Sequence, residues 1–390
     1  MVGRIINSIL DNDLYKFTMQ YAVFKLFPWL KVRYKFTDRK NLSYPNGFDA
    51  KIREQIVMLS QLKLLPDEKN FLSTKLGKFL PPTYIDFLSG YQFDPSEVSV
   101  SLNKDNKLNI TIQGYWYRTI LWEVVLMAII SELYFIDSCQ TVDIELNRDR
   151  DLIKLNYLKS HNSYFADFGT RRRYSFKNQE RIVKLFSENG GHNFVGTSNV
   201  YLAYTYDLKC IGTHAHEWFM GHAALYGYKM ANKMALENWV DVYRGDLGIA
   251  LSDTYTTDVF FKSFNTQFSK LFDGVRHDSG NPFEFTDKVI KHYNSLGIDP
   301  MSKVIVFSDG LNYELANELK EYCVGKIKCS FGIGTHFTND VGVDVMNMVI
   351  KLYQVYIDGH WVNCVKLSDN EGKHAGNEEE VELSKKILNL

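Results

Sequence analysis

The residues richest in chemistry stand together at Cys210-Ile211-Gly212-Thr213-His214-Ala215-His216-Glu217-Trp218. An apolar segment runs into Gly-Thr and then into titratable residues, which reads as strand, turn, active group, helix. A turn of this kind presents backbone N–H groups at a helix N-terminus, where they and the helix dipole favour an anion. His216 is then within reach of that anion as base or nucleophile. The competing reading is a capping Thr followed by packed histidines. Arg171 and Arg276 each follow a predicted strand, and a guanidinium grips phosphate or carboxylate bidentately; rim salt bridges to Asp167 and Asp278 would account for them as well. Asp253, Asp278 and Asp309 could bind Mg2+ or orient sugar hydroxyls, or simply cap helices. Gly332-Ile333-Gly334-Thr335 has the form of a backbone cradle for phosphate, although glycine at a strand end also serves turn geometry alone.

Several tempting patterns fail on inspection. His216-Glu217 with His222 is not H-E-x-x-H, because Met220 holds the second ligand position, so zinc protease chemistry is disfavoured. Asp167-Phe168-Gly169 imitates a kinase motif without the V-A-I-K strand or H-R-D loop that belongs with it. His277-Asp278-Ser279 are neighbours in sequence, whereas a hydrolytic triad aims side chains at one another from different turns. Composition narrows the partners. With 45 basic and 46 acidic residues the net charge is −1, so no global field draws nucleic acid or membrane. The five cysteines (139, 210, 323, 329, 364) form no C-x-x-C pair and are odd in number, which argues against a disulfide framework or structural zinc and fits a reducing cytoplasm. Met1 to Leu10 has no long apolar core and is not expected to be a secretory signal. Leu121 to Phe135 is the most apolar run, but it contains Glu123 and Glu132 and falls short of the roughly 20 residues of a membrane span. A buried helix is expected there.

The elements that must position these groups fall into two textures. Asp11-Asn12-Asp13 reads as a cap for a helix whose apolar face includes Leu14, Phe17, Tyr21 and Phe24. Val32, Tyr34 and Phe36 alternate with Lys31, Arg33 and Lys35 as in a half-buried strand. Residues 48–90 read as helices punctuated by Pro66 and Pro81-Pro82, and Val98 to Gly114 as a hairpin turning at Lys104-Asp105-Asn106. From about residue 160 a strand, a polar or Gly-rich turn and a helix recur. Those turns lie at 167–171, 196–199, 212–216, 252–254, 276–280, 308–310 and 332–335, the spacing of a (β/α) barrel or a doubly wound sheet, with chemistry at the strand C-termini. The barrel is preferred, since no turn carries G-x-G-x-x-G. Beyond Val345, strands such as Met348 to Tyr353 and Val362 to Leu367 are expected to return to the first domain's sheet, and Asn377-Glu378-Glu379-Glu380 starts a solvated helix.

Read in order, Asp13-Leu14-Tyr15-Lys16-Phe17-Thr18-Met19, Gly196-Thr197-Ser198-Asn199, Gly212-Thr213-His214-Ala215-His216-Glu217-Trp218, Gly274-Val275-Arg276-His277-Asp278-Ser279-Gly280 and Phe331-Gly332-Ile333-Gly334-Thr335 resemble the nicotinate phosphoribosyltransferases across nearly the whole chain. The resemblance implies an α/β architecture of the type II phosphoribosyltransferases: an irregular (β/α) barrel over residues 141–345, an N-terminal open-faced α/β sandwich over 1–140, and a C-terminal segment, 346–390, returning to the sandwich. It implies NAD salvage, in which nicotinate and 5-phosphoribosyl 1-pyrophosphate give nicotinate mononucleotide and pyrophosphate, coupled to hydrolysis of ATP with Mg2+ on the phosphates.

By the same resemblance His216 is the phosphorylatable histidine, Thr213 and Arg276 lie near the nicotinate carboxylate, and Phe168 lies against the pyridine ring. Tyr15 closes over the ring from a neighbouring subunit, so a homodimer with shared sites is expected. Arg171, Asp278, Asp309, Gly334 and Thr335 serve the ribosyl phosphate and pyrophosphate. Glu217 lies on the wrong helix face to orient His216, so another carboxylate is expected. Two positions depart from or vary in the pattern: Asn281 stands where the family often has Asp, and His214 is given no catalytic role. A nicotinamide-specific relative would carry a carboxylate at Ser198, and a neutral serine does not repel a nicotinate carboxylate. A nucleotide-binding barrel without activity, or a metal-dependent aldolase or hydrolase, would be marked respectively by loss of the histidine or arginines and by tightly bound metal.

Overall fold

The alternating segment after the first helix forms β1 (Lys31–Asp38), with Val32, Tyr34 and Phe36 buried and Lys31 and Lys35 exposed. The computed structural model describes residues 2–370 and 373–390. The remaining strands are β2 (Val98–Leu102), β3 (Leu108–Tyr115), β4 (Phe165–Asp167), β5 (Phe194–Thr197), β6 (Ile249–Leu251), β7 (Gly274–His277), β8 (Val304–Phe307), β9 (Lys328–Ile333), β10 (Met348–Ile357) and β11 (His360–Asn363). They make a five-stranded sheet in the order β11-β10-β1-β3-β2 and a six-stranded sheet in the order β5-β4-β9-β8-β7-β6. The fold is therefore mixed α/β, with an N-terminal antiparallel sheet joined by C-terminal strands and a second, parallel sheet.

In the first sheet Tyr34 opposes Ile112 and Val100 opposes Ile110, which puts their apolar side chains on a common buried face. The β2–β3 turn falls where the sequence put it: Asn103 Oδ1 accepts from Asp105 N and Lys107 N, and Asn106 takes the left-handed conformation. Pro66 and Pro82 open helices at their first turn. The helix Trp122–Asp137 is core, not membrane, with Val124 to Ile130 buried throughout. Its two glutamates are tolerated because each has a partner: Glu123 pairs with Lys16 at 2.5 Å and Glu132 accepts from Phe176 N at 2.9 Å.

The parallel sheet runs β6 to β9 in register, with Ala250, Val275, Ile305 and Cys329 side by side. Gly274 is required there, since a Cβ would sit 1.9 Å from the Val304 carbonyl oxygen. Two expectations need correction. The segment before Gly212 is not a strand; it makes one parallel bridge, Thr197 to Cys210, because the chain leaves β5 after Ile211 N bonds Thr197 O. Asp11-Asn12-Asp13 does not cap the helix Leu14–Leu26 through a side chain. These residues are buried, and long-range partners displace the local cap: Asp11 takes the Arg173 guanidinium at 2.7 and 2.8 Å, Asn12 donates to Leu121 O, and Asp13 accepts the Ser198 hydroxyl at 2.7 Å.

Contacts gather the chain into two compact units. One comprises Met1–Tyr157, Ala166–Gly212 and Gly334–Lys351; the other comprises Leu158–Phe165, Thr213–Ile333 and Leu352–Leu390.

Candidate active site

In the second unit, His216 is the first residue of the helix His216–Tyr226 and is buried. Its Nδ1 lies 3.0 Å from Thr254 Oγ1, and its Nε2 lies 2.8 Å from Asp278 Oδ2 and 3.7 Å from Asp253 Oδ1. Asp253 and Thr254 follow β6 and Asp278 follows β7, so parallel neighbouring strands aim their end residues at one ring. Burial, with the Lys366 charge adding to it, pushes His216 down to about 4; the two carboxylates offset this only in part. Asp278 goes the other way: against burial, the hydrogen bond from His216 and the Arg276 charge hold it well below the usual carboxylate range. A neutral ring beside an ionised carboxylate carries its proton on Nε2, donates it to Asp278, and keeps the Nδ1 lone pair, which accepts from Thr254. Asp278 is thus the orienting carboxylate that the sequence could not name.

A further layer fixes these groups. Asp253 Oδ2 accepts the Ser279 hydroxyl at 2.6 Å and sits 3.3 Å from Lys366 Nζ, and Ser279 Oγ accepts from Asp369 N. Asp278 Oδ1 accepts the Ser308 hydroxyl at 3.0 Å. Leu367 N donates to Thr254 O, tying the C-terminal segment to the β6 turn. Thr256 and Ser368 flank that tie in positive-φ conformations at 68° and 79°, strain of about 1–3 kcal/mol each of the kind found at functional sites.

The other nominated residues of this unit have definite places. Arg276 donates from Nη2 to His214 O at 3.2 Å rather than to Asp278, so a rim salt bridge is not what holds it; its Nε is buried without a hydrogen-bond partner among the described residues. Thr213 donates its hydroxyl to Ile249 O. Asp309 is half-buried, 3.9 Å from Lys373, its carboxyl raised by burial and by Asp278. The packed-histidine reading describes His214, which stands edge-on to Phe219 and Trp239, and His222, held between Trp218 O and Asn238 Nδ2. It does not describe His216. Asn281 accepts from Phe283 N and Glu284 N as cap of the helix Pro282–Ser295.

In the first unit, the loop carrying Phe168 and Arg171 leaves β4 at Asp167. That carboxylate is buried and accepts from Gly169 N, Gln179 Nε2 and the Thr197 hydroxyl; burial raises it to about 6 against those bonds. Arg171 pairs with Glu123 at 3.5 Å. Gly334 comes so close to Phe168 that a Cβ would lie 3.4 Å from its carbonyl oxygen, and Thr338, one turn after Thr335, donates to Gly169 O. The 334–338 turn therefore clamps the loop that holds Phe168. Tyr15 is buried at the start of the first helix, where Gly212, at φ 152°, passes with a notional Cβ 3.2 Å from Tyr15 N. Ser198 is no isolated hydroxyl, since it donates to Asp13, a carboxyl raised by burial.

His216, Asp253 and Asp278 offer donor atoms all within 4.8 Å of one another. Asp253 Oδ1 is buried with no hydrogen-bond donor among the described residues. Carboxylate oxygens suit Mg2+, while Lys366 limits the negative charge, so the set fits an ion that arrives on a phosphate substrate better than a resident one. Sequence reasoning missed Thr254, Ser279, Ser308, Lys366, Glu123 and Lys16 as supporting groups. Thr254 and Ser279 were detectable as neighbours of nominated aspartates; Lys366, a single cation in an apolar stretch far along the chain, gave no signal.

Two family descriptions match this chain: the nicotinate phosphoribosyltransferase (NAPRTase) N-terminal domain over residues 10–131 and the NAPRTase family over residues 164–390. A nicotinate phosphoribosyltransferase of Chromohalobacter salexigens is 50% identical over 390 residues, covering 99% of each chain. One from Desulforapulum autotrophicum is 48% identical over 387 residues, 98% of this chain and 99% of the other. The crystal structure of nicotinate phosphoribosyltransferase from Porphyromonas gingivalis superposes with a TM-score of 0.97 at 44% identity, covering 99% of this chain and 100% of that one.

Proposed function

The chain belongs to the nicotinate phosphoribosyltransferase family, and from that premise we propose how its residues join nicotinate to 5-phosphoribosyl 1-pyrophosphate and couple the joining to ATP. The observation that carries the coupling is the neutral His216 ring, with its proton committed to Asp278 and its lone pair on Nδ1. Nδ1 attacks the γ-phosphorus of ATP once Thr254 yields its hydrogen bond. The N–P bond forms, the bond to the bridging oxygen breaks, and ADP leaves with the electron pair. Positive charge growing on the ring is stabilised by Asp278 and Asp253, which stay ionised. Water later attacks the phosphorus and returns the lone pair to Nδ1. Phosphorylation brings about −1.5 to −2 charge beside Lys366 and Arg276, which re-sorts the cations that grip pyrophosphate.

In the glycosyl step the chain's work is positioning and charge. By the motif resemblance, Arg276 and Thr213 serve the nicotinate carboxylate, Phe168 and Tyr15 the ring, Arg171, Gly334 and Thr335 the phosphate, and Asp278 and Asp309 the pyrophosphate. Asp278, Asp309 and the Asp253 oxygen that has no donor among the described residues would hold magnesium at the pyrophosphate, where it would neutralise charge on the leaving group. The family's sandwich-and-barrel division near residues 140 and 345, and a homodimer in which Tyr15 serves its neighbour, belong to the same reading and rest on the motif resemblance. Incubation with γ-labelled ATP tests the coupling. Wild type is expected to acquire acid-labile, base-stable label and His216→Asn none, with ATP-stimulated turnover lost in parallel; label persisting in the variant would move the nucleophile elsewhere.

A further inference from the structure

Glu123 is an acidic residue inside a helix whose neighbours are core, and nothing in the chemistry above uses it. It is nearly fully buried, and its two oxygens serve two cations from different elements. Oε2 lies 2.5 Å from the Nζ of Lys16, a side chain with no exposure, and Oε1 lies 3.5 Å from a terminal nitrogen of Arg171, whose side chain is two-fifths exposed. Lys16 directly follows Tyr15 on the first helix, and Arg171 follows the Phe168 loop. One carboxylate therefore ties the start of the first helix and the 168–171 loop to the core helix at one point.

Against burial, the Lys16 charge first, then those of Arg171 and Lys351, keep Glu123 ionised, and Arg171 also acts on the buried Asp13 carboxyl. Of Lys16, Glu123 and Arg171, only Arg171 has substantial exposure.

We propose that the Lys16–Glu123 pair is a positioning device for Arg171, aiming its guanidinium at a phosphoryl group of the ribosyl substrate. This rests on Arg171 being a phosphate ligand, as in the reading above. Rotamer freedom in an unpinned arginine dilutes the competent geometry, and a charge-assisted contact depends on that geometry. The effect belongs to substrate affinity rather than to turnover once the substrate is bound.

Glu123→Gln alone leaves a buried ammonium without its carboxylate and could unfold the chain. The main variant is therefore the double exchange Lys16→Met with Glu123→Gln, close in volume and free of both charges. Its expected result is a KM for phosphoribosyl pyrophosphate raised about tenfold or more, the loss a misaligned charge-assisted hydrogen bond brings, with kcat and the KM for nicotinate close to wild type. In an Arg171→Ala background the same exchange should change nothing further, a non-additivity that a general packing defect would not produce. An unchanged KM in the double variant, or full additivity with Arg171→Ala, overturns the positioning role. Arg171→Ala on its own separates the two levels: if it leaves the KM for phosphoribosyl pyrophosphate unmoved, the phosphate reading of Arg171 has failed, and the positioning role falls with it.

Discussion

His216 and His222, on the same helix, show how burial sets protonation. His216 and His222 are each pushed down to about 4, by burial first, against an ordinary imidazole value of about 6.5. Between those values the unfolded chain binds protons that the native state refuses, so stability is complete above about pH 6.5 and is lost as pH falls towards 4, by about 3 kcal/mol for each ring. Urea midpoints should accordingly fall steadily from pH 7 to pH 5. His222→Gln, away from the chemistry and bonded to Trp218 O and Asn238, should remove its share of that slope and leave phosphorylation by ATP intact. A midpoint flat across this interval would show that both rings are protonated in the fold.

At the scale of elements, turns and close approaches decide where functional residues stand. Gly212 combines a φ of 152° with close contact to the backbone of Tyr15, so it sets how the first helix begins. Gly212→Ala should lower stability by about 1–3 kcal/mol and raise the KM for nicotinate. Gly297→Ala is the comparison, because Gly297 has φ 67° and no atom within 4 Å of its notional Cβ; it should lose about 1 kcal/mol and leave kinetics alone. Equal losses from the two, with unchanged KM in both, would mean that the contact with Tyr15 does nothing. The first helix also shows why a local cap signal gives way: Asp11, Asn12 and Asp13 are typical capping residues, yet each is spent on a partner more than 100 positions away in sequence. Burial makes such partners obligatory, and local propensity yields to them.

On the scale of the whole molecule, the expected sharing of Tyr15 between subunits has a direct test. Chains carrying Tyr15→Ala and chains carrying His216→Asn, mixed under conditions of proven subunit exchange, should regain part of the activity if Tyr15 serves the neighbouring subunit, since one of the two composite sites then carries neither lesion. No recovery would assign Tyr15 to the His216 of its own chain. What the amino-acid order determined by itself was extensive: the half-buried first strand, the buried helix around Leu121–Phe135, the hairpin at residues 104–106, the return of C-terminal strands to the N-terminal sheet, and the family, because ordered motifs are a linear property. What only the tertiary structure decided was which distant groups share a ring or a carboxylate. Asp278 and Thr254 on His216, Lys366 on Asp253, and Lys16 with Arg171 on Glu123 are pairings between residues that periodicity cannot relate. Their energies arise from burial and from approach within a few ångströms, quantities that come into being only when the chain has closed on itself.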